Sequence, residues 1–143
     1  MRPQTGTNIT PTPTRSRWTP ERHSIVAPGV QMVHLVVTLG ATTTTDQRLV
    51  AALRTLMGAV RLEPGCESCS VWTTEGEEDD RVLVHYEERW AGEQAMEARV
   101  RSDRFTMLLE VVESAPDDPS VEFQFVAKQH GLEYVEAVRG TAR

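Results

Sequence analysis

The order in which strand-like and helix-like patterns of hydrophobic residues follow each other along the chain restricts its fold more than any other sequence feature. Residues 30–38 form a short segment rich in β-branched side chains, which indicates a strand. The next apolar residues recur at the spacing of one helix face, at Leu49, Leu53, Leu56, Met57 and Val60. Thr44 and Gln47 have the spacing of a capping box, and Pro64-Gly65 ends this predicted helix.

The second half of the chain repeats the alternation. Strands are predicted at 67–74 and 81–88, joined as a hairpin by the acidic turn 75–80. A short helix is predicted at 91–100, and Ser102 is the expected N-cap of another. That helix has apolar side chains at Phe105, Leu108, Leu109 and Val112. Alternation at Val121, Phe123 and Phe125 predicts a strand, and residues 132–138 are expected to form a last one.

The resulting order, β-α-β-β-α(α)-β-(β), predicts an α+β protein. It is the split βαβ arrangement of ferredoxin-like folds, with an antiparallel sheet. A chain of 143 residues can build one useful core. Helices on one face of such a sheet leave the other face bare, and in a small domain that face usually needs a partner. A homodimer is therefore expected.

Residues 1–29 differ in composition from the rest and are predicted to be a disordered or loosely ordered tail. The segment before Gly29 holds six Thr and five Pro, with few side chains that could offset the entropy of ordering. It carries four Arg and one Glu, and its Trp18 is a candidate for docking on the folded domain. A basic, Thr-rich leader can be a transit peptide, but the proline spacing breaks any amphipathic helix. Residues 30–143 are assigned to the folded domain.

Charge and hydropathy exclude several classes of partner. A net charge of −6 argues against nucleic-acid binding, which requires a basic surface. The chain has no apolar run of about 18 residues for a membrane span and no apolar leader for secretion. We therefore expect a cytoplasmic protein with no membrane or nucleic-acid partner.

Three segments in order resemble the antibiotic biosynthesis monooxygenase family, known as ABM. They are EPGC at 63–66, YEERW at 86–90 and AMEARVRSDRF at 95–105. The resemblance extends over residues 31–127 and implies a dimeric α/β barrel, in which two sheets face each other. It also implies a pocket between each protomer's own sheet and helices. Many members are cofactor-free oxygenases that convert phenols, anthrones or hydroquinones to quinones.

The chain departs from this family at position 99. Many members carry His nine residues after the Trp of the Glu-x-Trp motif, where this chain has Arg99. The haem-degrading branch has its iron-ligating His at the position of Leu109 and a functional Asn in the first strand, and residues 30–38 contain no Asn. These differences argue against haem degradation.

The chemistry expected from this resemblance needs no cofactor. The sequence has no GxGxxG, no P-loop and no flavin motif, so O₂ must take its electrons from an electron-rich substrate held as an anion. Such a site requires a base, a positive group and a dry aromatic wall. His34 and His85 are the candidate bases, and Arg99 is the candidate partner of the substrate oxyanion. The candidate substrate-binding residues are Trp72, Tyr86 and Phe105.

Each candidate also has a plain structural interpretation. Arg99 can form a surface ion pair with Glu93 or Glu97, and the aromatic residues can be core packing. His34 and His85 can be ordinary polar residues of strands. If their strands are neighbours, the two could also contribute to a two-His-one-carboxylate iron site, but no metal is expected. The Glu of the family motif, Glu88, is assigned to support of a helix or of the dimer.

The C-x-x-C spacing of Cys66 and Cys69 is not expected to be a redox or metal motif. In redox proteins this motif opens a helix, whereas here it enters a strand, in which residues three apart point to opposite faces. A zinc site would need a second pair of ligands. The acidic turn 75–80 lacks the spaced pattern of a calcium loop and is read as a solvated hairpin tip.

The leading hypothesis is a cofactor-independent monooxygenase that oxidises an electron-rich aromatic compound to a quinone, with O₂ as co-substrate. Two alternatives stay open. The protein can be a non-catalytic small-molecule binder or accessory dimer, which the missing His at position 99 favours. It can also be a cofactor-free cyclase or isomerase that uses the same pocket for acid and base chemistry alone.

Overall fold

The computed structural model describes residues 29–141 and places four strands and four helices there. They are β1 (Met32–Thr42), α1 (Asp46–Val60), β2 (Cys66–Glu75), β3 (Arg81–Trp90), α2 (Glu93–Arg101), α3 (Asp103–Glu113), β4 (Ser120–Val126) and α4 (Leu132–Thr141). Apart from Gly29, the predicted tail lies outside the described residues.

The four strands form one antiparallel sheet in the order β2-β3-β1-β4. The two central strands, β1 and β3, are the ones with the most regular alternation of buried and half-buried residues. Residues 76–80 join β2 to β3 as the predicted hairpin. The α+β, ferredoxin-like fold predicted from the order of strand-like and helix-like hydrophobic patterns is confirmed.

The core lies between one face of the sheet and helices α1, α2 and α3. In β1 the side chains of Leu35, Val37 and Leu39 are buried there, beside the β3 residues Val84 and Tyr86. Because successive residues of a strand point to opposite faces, the remaining positions define a second face. We call it the open face; it carries His34, Val36 and Thr38 of β1, and none of its strand residues belongs to the core cluster of the described residues.

Two local features bring the helices onto the core. Gly65, after the end of α1, has φ +90°, and a Cβ atom there would lie 2.6 Å from the Cβ of Ala95 in α2. Glycine therefore permits both the turn and the close approach of α2. At the start of α3 the hydroxyl of Ser102 accepts a hydrogen bond from the Phe105 amide at 3.3 Å, which confirms the predicted N-cap.

Two predictions about elements were wrong. Residues 132–138 belong to helix α4, not to a strand, because Leu132 and Val135 on one side, and Glu133 and Glu136 on another, are spaced by three. The capping box at Thr44 is also absent: α1 begins at Asp46 after Thr45, whose side chain makes no capping hydrogen bond.

Candidate functional site

The sheet divides the six predicted site residues into two groups of three. His34, Trp72 and His85 lie on the open face, where Thr38 of β1 is paired with His85 and His85 with Trp72. The other three lie on the helix-bearing side and are buried: Tyr86, Arg99 and Phe105. Within one protomer the structure therefore does not bring the histidines and Arg99 to one side of the sheet.

On the open face, His34 forms a dyad with a carboxylate. Its Nε2 lies 2.7 Å from Oε1 of Glu87, and both side chains are largely but not completely buried. A carboxylate that accepts a hydrogen bond from Nε2–H fixes the orientation of the ring. It also leaves Nδ1 as the unprotonated, basic nitrogen. Arg89 is the direct partner of His34 across the β1–β3 pair. The dyad therefore has a cation close by in the sheet.

An aromatic pair occupies the same face farther along. The rings of Trp72 and His85 stack with centroids 5.1 Å apart and planes 14° apart. Nε2 of His85 is 2.8 Å from the hydroxyl of Thr74. Trp72 keeps 39% of its surface exposed, so the stack presents a flat aromatic surface that could hold a planar ligand.

The two histidines are too far apart to share an iron ion. His34 pairs with Arg89 and Thr38 with His85, so four residues of strand, about 13 Å, separate them along the sheet. Two ligands of one metal would each lie about 2 Å from it. Across residues 29–141, no group of three or more His, Cys, Asp or Glu side chains is arranged to hold a metal ion.

On the helix-bearing side, the carboxylate of Glu88 is the centre of a buried network. It accepts hydrogen bonds from the Tyr86 hydroxyl at 2.5 Å and from Nε1 of Trp90 at 2.8 Å. It also binds Arg99 through Nε at 3.0 Å and Nη2 at 2.7 Å. The partner of Arg99 is thus Glu88, not Glu93 or Glu97. This pair joins α2 to β3, which is the helix support assigned to Glu88.

Arg99 has one further, weaker contact. Its Nη1 and the Oε2 atom of Glu63 are 3.9 Å apart, and neither buried atom has a hydrogen-bond partner. Nη1 of Arg104 lies 3.6 Å from the same Glu63 oxygen, and the Arg99 guanidinium carbon is 5.1 Å from the centroid of the Phe105 ring. The network thus extends from the sheet to α3. The role of Arg99 as partner of a substrate oxyanion stays a prediction.

Burial shifts the pKa values of the ionisable side chains on the helix-bearing side of the sheet. Burial and the Glu88 carboxylate raise the pKa of Tyr86 well above its usual range. Burial alone would lower the pKa of Arg99, but its hydrogen bonds to Glu88 raise it instead. Burial also raises the pKa of Cys69, to about 11. Near neutral pH, Tyr86 and Cys69 are therefore neutral and Arg99 is charged.

The prediction that Cys66 and Cys69 point to opposite faces was wrong. A β-bulge between Cys66 and Ser68 inserts one extra residue, so Cys66 pairs with Trp90 and Cys69 with Glu88. Both thiols consequently face the helices. Burial raises the pKa of each, which disfavours the reactive thiolate.

A groove of about 580 Å³ lies between α1 and the outer edge of β2. One stripe of α1 and two residues of β2 line it: Asp46, Gln47, Val50, Ala51, Arg54, Trp72 and Thr73. No strand within residues 29–141 pairs with this edge of β2. None of the helices in that range is both long and apolar enough to cross a bilayer.

Sequence reasoning missed the partner of His34. Glu87 stands in the YEERW segment and alternates with His85, so its face could be assigned relative to β3. Its distance from His34 depends on the register between β1 and β3, which are separated by α1 and β2 in the chain. Only the paired strands show that the two side chains meet.

Comparison with solved structures supports the fold. A conserved protein from Methanosarcina mazei Go1 superimposes with a TM-score of 0.55 at 17% identity, over 68% of this chain and 95% of its own. A protein from Caulobacter crescentus CB15, named as a candidate antibiotic biosynthesis monooxygenase, gives 0.55 at 17% identity, over 76% and 99%. A protein from Nitrosomonas europaea with the same designation gives 0.54 at 13% identity, over 74% and 100%.

The family comparison extends this likeness to the sequence. No curated protein sequence matches the chain. The sequence profile described as antibiotic biosynthesis monooxygenase, however, matches residues 32–110, from the start of β1 into α3. The match includes the three segments that carry the resemblance and covers more than half of the chain. This chain belongs to the antibiotic biosynthesis monooxygenase family.

Proposed function

We propose that this protein is a cofactor-independent monooxygenase that oxidises an electron-rich aromatic compound, such as a phenol or an anthrone, to a quinone. The observation that carries the proposal is the 2.7 Å contact between His34 and Glu87 on a sheet face that also presents the Trp72–His85 stack. Family membership supports the same class of chemistry.

The first step is removal of a proton from the substrate. While Nε2–H of His34 donates a hydrogen bond to Glu87, Nδ1 of His34 accepts the acidic substrate proton. Arg89, opposite His34 in the sheet, stabilises the resulting anion. The Trp72–His85 stack, farther along the same face, contacts the far end of a polycyclic substrate. The anion then supplies four electrons to O₂: one oxygen atom becomes the carbonyl oxygen on a ring carbon whose C–H bond breaks, and the other leaves as water with that hydrogen and the proton held by His34.

The open face must be shielded from water for this chemistry. A second copy of the chain, with its own open face turned towards the first, would cover it and exclude solvent from the anion. We therefore include a homodimer in the proposal. In such a dimer both dyads lie between the two sheets, while the Glu88 network stays inside each protomer.

Oxygen consumption by the full chain on a panel of anthrones and naphthols tests the proposal. We expect His34→Ala to lower the rate about 10²- to 10⁴-fold, because a positioned general base contributes that much. Glu87→Gln, in a positioning residue, should lower it less and shift its pH profile. His130→Ala is the matched control, since His130 is exposed outside the site. A parental rate in His34→Ala would contradict the assignment of the base.

A second candidate, a cyclase or isomerase, is favoured by the same dyad, because proton transfer by His34 and Glu87 needs no oxygen. Turnover at an equal rate under nitrogen and in air would support that reaction. Binding that changes the absorption spectrum of an aromatic ligand, with no conversion in air or under nitrogen, would support the non-catalytic binder.

A further inference from the structure

We propose that Cys66 and Cys69 together bind a soft metal ion, and that this ion is Cu(I). The site lies on the helix-bearing side of the sheet, so the inference does not depend on the proposed oxidation at the open face. These are the two cysteines of the chain, and they are not joined as a disulfide. Both sulfur atoms can therefore act as ligands.

The β-bulge at the start of β2 brings the two thiols to one face. In a regular strand, residues three apart point to opposite faces. Here the extra residue after Cys66 changes the pairing, so that Cys66 is opposite Trp90. Cys69 is opposite Glu88, two positions from Trp90 along β3. The two cysteine Cα atoms thus lie about 7 Å apart, with both side chains on the same face.

This spacing favours a bridging ion over a disulfide. The Cβ atoms that a disulfide joins are about 4 Å apart. Neighbouring side chains on one face of a strand are nearly parallel, with Cβ atoms about 7 Å apart. A metal ion between two sulfur atoms, with metal–sulfur bonds of about 2.3 Å, holds those atoms about 4.6 Å apart. Side chains that lean towards each other reach this separation without a change in the backbone.

The number and kind of ligands select the ion. A structural Zn²⁺ site takes four ligands, and within residues 29–141 no group of three or more His, Cys, Asp or Glu side chains is arranged to hold a metal. Soft thiolate ligands favour Cu(I), which forms linear complexes with two sulfur atoms. Two cysteines are therefore enough for Cu(I) and too few for Zn²⁺.

A groove gives an ion access to the pair. It has a volume of about 330 Å³, and both cysteines line it, together with Arg61, Glu67 and Ser68. Cys66 is half-buried, whereas Cys69 is almost completely buried. An ion therefore enters from solvent at Cys66 and is held against the core at Cys69.

The charged groups around the pair suit a cation bound by two thiolates. Burial and the Glu88 carboxylate raise the pKa of both thiols, so both are protonated when no metal is bound. When Cu(I) binds, two S–H bonds break, two Cu–S bonds form and both protons pass to solvent. The complex then has one net negative charge. Arg99 favours the thiolate at Cys66. Arg61 does the same at Cys69, whose carbonyl oxygen it also binds.

Titration of the reduced full chain with Cu(I) under nitrogen tests this inference. The ion is added as its acetonitrile complex, with bicinchoninate as the competing chelator. We expect one Cu(I) per chain. Cys66→Ser and Cys69→Ala should each lower the affinity at least about 100-fold, because loss of an outer-shell group alone costs about 10- to 100-fold. Met107→Leu is the matched control: it removes an exposed sulfur atom on α3 and should leave the affinity unchanged.

X-ray absorption of the loaded parent identifies the ligands, and we expect two sulfur neighbours. Cu(I) should also raise the melting temperature of the parent, because it binds the folded chain, and should not raise that of Cys66→Ser. This variant changes only a half-buried side chain, so the test stands even if Cys69→Ala does not fold.

Two outcomes would overturn the inference. One is equal Cu(I) affinity in the parent and in Cys66→Ser. The other is an X-ray absorption spectrum in which nitrogen or oxygen atoms are the ligands. Both are independent of oxygen consumption, so they do not bear on the proposed oxidation.

Discussion

Glu88 shows how one residue fixes the inside of this protein. Its carboxylate has no exposed surface and accepts four hydrogen bonds, from Tyr86, Trp90 and Arg99. A buried charge is tolerated only when it is paired and hydrogen-bonded. The Glu-x-Trp segment of the family thus carries a structural ion pair in this chain, and the chemistry we propose belongs to the other face of the sheet.

Removal of one partner of this pair should cost more stability than removal of both. We expect Glu88→Leu to lower the free energy of unfolding by about 3–5 kcal/mol, because Arg99 stays buried and unpaired. Glu88→Leu with Arg99→Met should lose clearly less. Urea unfolding measures both, with exposed Glu110→Leu as a control expected within about 0.5 kcal/mol of the parent. A loss in the double variant equal to or larger than that in Glu88→Leu would contradict this expectation.

At the scale of elements, the N-termini of α1 and α3 are positioned in different ways, one by packing and the other by a side-chain cap. Ser102 caps α3 through its hydroxyl, whereas α1 begins at Asp46 without a side-chain cap. The buried residues Leu49 and Leu53 attach α1 to the sheet. Packing of an apolar face can therefore position a helix start that its sequence would place one residue earlier.

Loss of the Ser102 hydroxyl should be costly, and loss of the Thr44 hydroxyl should not. We expect Ser102→Ala to destabilise the protein by about 1 kcal/mol, since the hydroxyl that accepts from the Phe105 amide and donates to the Arg99 carbonyl is lost. Thr44→Ala, in the mispredicted capping box, should stay within about 0.5 kcal/mol, because its hydroxyl bonds only Thr42 on the surface. Thermal or urea unfolding distinguishes them. A larger loss in Thr44→Ala would reverse this assignment of the caps.

At the scale of the whole molecule, the main feature is a four-stranded sheet with helices on one side only. The open face carries an apolar residue, Val36, at its centre between Glu87 and Glu122 of the neighbouring strands. The same face carries the His34 dyad and the Trp72–His85 stack. Oligomeric state and the proposed activity should therefore depend on one surface.

A charge at the centre of the open face should separate the proposed dimer. We expect the parent to sediment as a dimer and Val36→Glu as a folded monomer, because three carboxylates would then meet at the interface. The monomer should also lose oxygen consumption through exposure of the dyad to water. Thr106→Glu, on the exposed surface of α3, is the matched control and should remain dimeric. Identical sedimentation of Val36→Glu and the parent would exclude this face as the interface.

The sequence by itself determined the order of most elements and the fold class. Its periods distinguish strands from helices because side chains repeat every two residues in one and every 3.6 in the other. The three segments that carry the resemblance also indicated the family. The prediction of a strand at 132–138 was wrong, because apolar and acidic residues recur there every three positions and form helix α4.

The tertiary structure alone decided which residues meet. Pairing of β1 with β3 brings His34 to Glu87, which are 53 positions apart in the chain. The bulge after Cys66 places both thiols on one face, and packing of α2 on β3 brings Arg99 to Glu88. Strand parity says that two residues share a face of their own strand, but register and helix packing arise from long-range contacts. Those contacts separate the six predicted site residues into an open-face group and a buried group.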